Sequence, residues 1–212
     1  MPLKTNTRSS MSTATERPIA DRTCKSHYLA LISFRRYNVD GNAVFMCAAV
    51  GIILDKTNNT QKIFGGGETK MVAKNVSDDS KFHMDDILSL DVSIDRKTVV
   101  TGQVGKAPSV FVWDSQTCEV KCTFKLKEGA RGVAAIAISP CQRYVVAVDL
   151  HNDHHVIIHN IKKNKNLLYI EGSKDKIVHV AWSKKPDDLR FCTVGLKEIK
   201  FWNPADASKR LF

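Results

Sequence analysis

From Asn42 onward the apolar residues come in short runs separated by polar turns, the texture of an all-β chain. Ala43–Ala49, Gly51–Asp55 and Thr60–Phe64 read as an opening group of strands. Three further groups follow. The first holds Asp86–Ser93, Thr98–Gly102 and Ser109–Asp114; the second holds Gly132–Pro140, Tyr144–Asp149 and His155–Asn160. The third holds Lys176–Ser183, Arg190–Gly195 and Glu198–Asn203. In each, the first two runs are almost continuous Val, Ile and Ala, the mark of strands buried on both faces. The third run alternates. A fourth strand is predicted over Glu119–Leu126, over Asn166–Glu171 and beginning in Lys209–Phe212. Lys121, Lys125 and Lys127 on the first of these would protect an exposed sheet edge from stray pairing. No segment has the apolar period of an amphipathic helix.

The three groups align with one another. Their third-strand markers Trp113, His159 and Trp202 recur close to the roughly 40–45 residues of one four-stranded WD40 blade. The pattern predicts a partial WD40-type β-propeller of about three and a half blades. Its parts are a half-blade over 37–70, blades over 83–127 and 130–172, and an incomplete blade over 175–212. Closed propellers have about four to eight blades, so the remainder is expected from a longer chain or from a partner. Residues 1–36 lack apolar periodicity and read as a flexible basic arm.

Within this repeat, His83 is expected to join a buried hydrogen-bond chain with the Thr101 hydroxyl and the Trp113 indole. Gly105-Lys-Ala-Pro fills the turn after that blade's second strand, where an acidic residue would normally complete the chain, so the chain is expected to be incomplete. Asp114 ends the third strand, and Trp202 repeats Trp113. His159 and Asn160 stand where Trp-Asp is expected. Asp153 is assigned to the structural turn of the middle blade, accepting backbone N–H groups.

Tyr37 to Phe212 resembles the echinoderm microtubule-associated protein-like (EML) family. Phe45-Met-Cys-Ala-Ala-Val and Gly51-Ile-Ile-Leu look like the end of that family's HELP segment. His83-Met-Asp-Asp, Thr101-Gly-Gln and Val110-Phe-Val-Trp-Asp-Ser are similar to its most recognisable blade, and Ala147-Val-Asp-Leu-His-Asn-Asp-His to the next. Against the family's pattern, the front of the HELP segment is not recognisable before Tyr37, and neither a heptad-patterned helix nor the pattern of a second propeller is read within these 212 residues, as expected of a fragment. The resemblance implies a cytoplasmic, cytoskeletal scaffold that binds tubulin and microtubules, with other cytoskeletal or ciliary proteins as further partners and the cilium as a second location.

Charge extends this picture. The net charge of +10 should draw the chain to acidic partners. The cations assigned to partner contact are Arg8, Arg17, Arg22, Lys25, Arg35 and Arg36 in the arm, with Lys184, Lys185 and Arg190. A propeller subunit of an RNA-processing or ribosome-associated complex is the alternative that the same charge admits, ranked second. No window is apolar enough to span a membrane, and the first thirty residues lack a signal-peptide apolar stretch.

Candidate chemistry is sparse, and the expectation is a protein with no catalytic residue, no cofactor and no metal. His151, Asp153, His154 and His155 have metal-ligand residue types but fall in a tight turn and are read as structural. Gly65-Gly-Gly-Glu-Thr-Lys lacks the ending of a phosphate-binding loop. Asp78-Asp79 and Asp187-Asp188 are read as turn acids without a convergent partner. The six cysteines form no C-x-x-C pair and are read as reduced thiols, with Cys118 and Cys122 on one face of a strand.

Overall fold

Fifteen antiparallel strands, in four separate sheets, make up the described fold. The computed structural model describes residues 36–65 and 81–204, within the unit Phe34–Phe212. Sheet I comprises β1 (Arg36–Tyr37), β2 (Ala43–Cys47), β3 (Val50–Asp55) and β4 (Thr60–Phe64). Sheet II comprises β5 (Ile87–Val92), β6 (Thr98–Gln103), β7 (Ser109–Asp114) and β8 (Val120–Lys125). Sheet III comprises β9 (Val133–Ile138), β10 (Tyr144–Asp149), β11 (Val156–Asn160) and β12 (Lys165–Ile170). Sheet IV holds β13 (Ile177–Trp182), β14 (Phe191–Gly195) and β15 (Ile199–Trp202). In every sheet each strand pairs with its sequence neighbour, as in the blades of a propeller.

Two details differ from the sequence reading. The opening group has four strands rather than half a blade, because Arg36 and Tyr37 pair with Val44 and Ala43. Two residues are too few to carry a period, so sequence alone assigned Arg36 to the arm. Cys118 does not share a strand with Cys122: it sits in the β7–β8 turn with φ +62°. The strand predicted to begin in Lys209–Phe212, and the arm itself, lie outside the described residues.

Burial explains the sequence texture. All six residues of β6 are buried, because sheet II is covered on one face by sheet I and on the other by sheet III. On β8 only Cys122 and Phe124 are buried and the other four residues are exposed, as befits an edge. The core is therefore laid down between sheets. Phe64, Phe111 and Trp113 fill the first layer; Val110, Phe124, Val133 and Ile157 the second; Val146, Leu168, Val180 and Phe191 the third. Burying each such side chain contributes about 1.5–3 kcal/mol. First strands lie side by side, β5 against β9 and β9 against β13. Polar bonds tie the layers: Ser89 donates to the Val133 carbonyl (3.1 Å) and the Trp182 indole to the Ala137 carbonyl (3.0 Å).

Candidate functional site

A buried hydrogen-bond relay crosses sheet II. The Trp113 indole N–H donates to Thr101 Oγ1 at 3.2 Å. Thr101 Oγ1 lies 2.7 Å from His83 Nε2, and His83 Nδ1 lies 2.8 Å from Gln103 Oε1. The Gln oxygen only accepts, so Nδ1 carries the proton and Nε2 accepts from the threonine. The Thr101 hydroxyl therefore accepts from the indole and donates to the imidazole, and no polar atom in the line is left without a partner. Burial disfavours the imidazolium and lowers the His83 pKa to about 4, although the Gln103 bond works against that shift. The relay is complete, contrary to the expectation from the turn sequence: Gln103 replaces the missing acid. It was findable, since Thr101 and Gln103 are two apart on one strand and so share a face.

The same positions recur with variations. In sheet IV the Trp202 indole donates to Thr193 at 2.9 Å. In sheet III the hydroxyl is replaced by Ala147, and His159 instead bonds Asn166 Oδ1 through Nδ1 at 2.7 Å. His159 faces Val145 as Trp113 faces Val99, so the two rings hold equivalent places in consecutive sheets. The end of the third strand also repeats in sheets I, II and III. Asp114 accepts the N–H groups of Gln116 and Thr117, Asp55 those of Thr57 and Asn58, and Asn160 that of Lys163. Sheet I is thus a repeat of the same kind, with Leu54-Asp55 in the place of Trp-Asp. For Asp114, burial alone would raise the pKa; the N–H of Gln116, the Lys121 ammonium and the N–H of Thr117 outweigh it and bring the carboxyl to about 2.

The β10–β11 turn departs from the sequence assignment. Its structural carboxylate is Asp149, not Asp153. Asp149 is fully buried and accepts from the N–H of His151 (3.1 Å) and His155 (2.8 Å). Its second oxygen lies 2.9 Å from His155 Nδ1. Asp153 lies at the turn tip, its carboxylate 3.6 Å from His151 Nδ1. The reason is geometric: only the last residue of β10 points beneath the turn, towards the N–H groups that lack strand partners. His151, Asp153 and His155 bring one potential ligand atom each to within 4.8 Å of one another.

The cations assigned to partner contact are scattered. Arg8, Arg17, Arg22, Lys25 and Arg35 lie outside the described residues. Arg36 sits on β1 with its guanidinium 3.5 Å from Asp91 of β5, an internal tie between sheets I and II. Lys184 and Lys185 are exposed in the β13–β14 turn. Arg190, at the end of that turn, is held by both carboxylate oxygens of Asp188 at 2.8–3.1 Å. Lys162, Lys163 and Lys165, which sequence reasoning passed over, are exposed around the β11–β12 turn. The five described cysteines are free thiols. Cys122 is buried, and burial pushes its thiol up to about 11. No helix of the described residues is long and apolar enough to cross a membrane. Of the Gly65–Lys70 loop only Gly65 is described, and Asp78-Asp79 lies outside the described residues.

Comparison with known proteins agrees with the repeat. No protein-family model matches the chain. It is 41% identical over 175 residues, 82% of its length, to the ciliary WD repeat-containing protein ctxp80 of Euplotoides octocarinatus. It is 28% identical over 172 residues, 77% of its length, to the 77 kDa echinoderm microtubule-associated protein of Strongylocentrotus purpuratus. To echinoderm microtubule-associated protein-like 1 of Mus musculus it is 27% identical over 76% of its length. The matches cover 24%, 22% and 19% of those relatives, so the chain spans about a quarter of their length or less. With its consecutive four-stranded repeats and these relatives, the chain belongs to the EML-like WD-repeat family.

Proposed function

We propose that this chain is part of a non-catalytic scaffold that binds microtubules through tubulin, with ciliary doublet microtubules as its setting. One observation carries the reading: the 41% identity, over most of the chain, to a protein named as a ciliary WD-repeat protein. Relatives named as microtubule-associated support it at lower identity. The net charge of +10 suits an acidic partner surface, since long-range attraction raises the encounter rate and weakens with salt. Lys184 and Lys185 of the β13–β14 turn, with Arg8, Arg17, Arg22, Lys25 and Arg35, are the contacts this reading assigns. Arg36 and Arg190 are engaged by Asp91 and Asp188 and take a smaller part.

Co-sedimentation with stabilised microtubules tests the reading. The 212-residue chain should pellet with them, less as salt rises, and deletion of residues 1–35, which spares β1 from Arg36 onward, together with Lys184→Glu and Lys185→Glu should weaken the pelleting. Absence from the pellet at low salt, with steeply salt-dependent RNA binding in its place, would transfer the chain to the RNA-associated class. Pelleting unchanged by the deletion would remove the arm from the interface.

A further inference from the structure

We propose that His151, Asp153 and His155, in the β10–β11 turn, form a binding site for a divalent transition-metal ion of the zinc class. Three donor side chains fall within five residues, and one ligand atom of each lies within 4.8 Å of the other two. Around zinc at about 2.0–2.2 Å, tetrahedral ligand atoms sit about 3.3 Å apart. Closure shortens these separations, which are at most 4.8 Å, to that spacing. The side chains of His151 and Asp153 are 35% and 37% exposed; His151 Nδ1 accepts the Asp153 backbone N–H at 3.3 Å, so a metal would take the other ring nitrogen of His151 or displace that bond.

Beneath them the turn is fixed. The Asp149 carboxylate accepts the backbone N–H of both His151 and His155, anchoring the two imidazole-bearing residues to one point. It also engages Nδ1 of His155, with its own side chain 1% exposed. With Nδ1 engaged by Asp149, the proposed site takes Nε2 of His155 as its ligand atom. A buried carboxylate behind a ligating imidazole is the arrangement that fixes a ligand's tautomer and orientation in metal sites. The two imidazoles lie side by side, ring centroids 4.7 Å apart, with no hydrogen bond between them. Arg131 donates to the Asn152 side chain at 3.0 Å and steadies the turn tip.

Ligand type selects the ion. Two imidazoles and one carboxylate favour Zn2+, Co2+, Ni2+ or Cu2+ over Mg2+ or Ca2+, which prefer all-oxygen sites. Three protein ligands leave further positions for water or for a side chain of a docked protein.

The test is a Co2+ titration of the reduced 212-residue chain, read by visible d–d absorption and competed with Zn2+. One equivalent is expected to bind without a thiolate charge-transfer band. His151→Ala should weaken binding at least tenfold while leaving the circular dichroism unchanged. Asp149→Asn, which touches no metal, should weaken it by about 10–100-fold. No d–d absorption in the wild type overturns the site; so does a thiolate band, or an affinity that His151→Ala leaves intact. If His155→Ala fails to fold, His151→Ala decides alone.

Discussion

Trp113 of sheet II lies flat on Phe64 of sheet I, ring centroids 4.6 Å apart and planes within 6°. The relationship is repeated one sheet on, where His159 lies on Phe124 at 4.0 Å and 10°. Phe64 pairs across its sheet with Gly51, and Phe124 with Val110. A Cβ on Gly51 would meet Trp113 Cζ2 at 2.8 Å. The small residue therefore stands where the large ring arrives, and the larger Val110 where the ring is only an imidazole.

Gly51→Ala should destabilise the fold by about 1–3 kcal/mol through overpacking, although alanine suits a strand better than glycine does. Urea unfolding followed by tryptophan fluorescence measures this. Stability equal to the wild type would mean that the indole has room to spare.

His159→Trp restores the residue expected from the repeat, yet it should cost about 1–3 kcal/mol because Val110 fills the space that Gly51 leaves open. Adding Val110→Gly should recover part of that loss. The coupling energy of the double-mutant cycle is the readout, and additive effects would refute the equivalence of Gly51 and Val110.

Thr101→Val removes the hydroxyl that joins His83 to Trp113. Two buried polar atoms lose their partner at about 1–3 kcal/mol each. Thr101→Ser keeps the relay and should lose much less. Chemical denaturation of the pair separates lost hydrogen bonding from lost packing.

The relay also predicts a pH dependence. Burial, the leading cause, holds His83 at about 4 in the folded chain, against about 6.5 when unfolded. Between those values the unfolded chain binds more protons, so the stability His83 contributes is present above about pH 6.5. It is lost as pH falls towards 4, by about 3 kcal/mol in all. Unfolding free energies measured from pH 7.5 to 4.5 should decline, and His83→Gln should flatten the decline.

Asp149 and Asp153 give opposite expectations. Asp149→Ala strips three bonds from a buried turn and should cost about 3 kcal/mol or more. Asp153→Ala should stay within about 0.5 kcal/mol, as for an ordinary surface change. Equal effects of the two substitutions would return the turn to Asp153.

Periodicity alone determined most of the architecture: near-continuous Val-Ile-Ala pairs mark strands covered on both sides, and the recurrence of Trp113, His159 and Trp202 sets the repeat. It determined these because burial acts on every residue of a strand and leaves a pattern. What only the tertiary structure decided rests on single contacts between distant residues. The two-residue strand Arg36–Tyr37 completes sheet I only by pairing with Val44 and Ala43. Gln103 finishes the relay because Thr101 and His83 present their polar atoms to the same buried line. Asp149 rather than Asp153 closes its turn because it alone points beneath it. Hydrogen bonds are directional over about 3 Å, and one-dimensional spacing cannot say which of two nearby carboxylates meets the N–H groups.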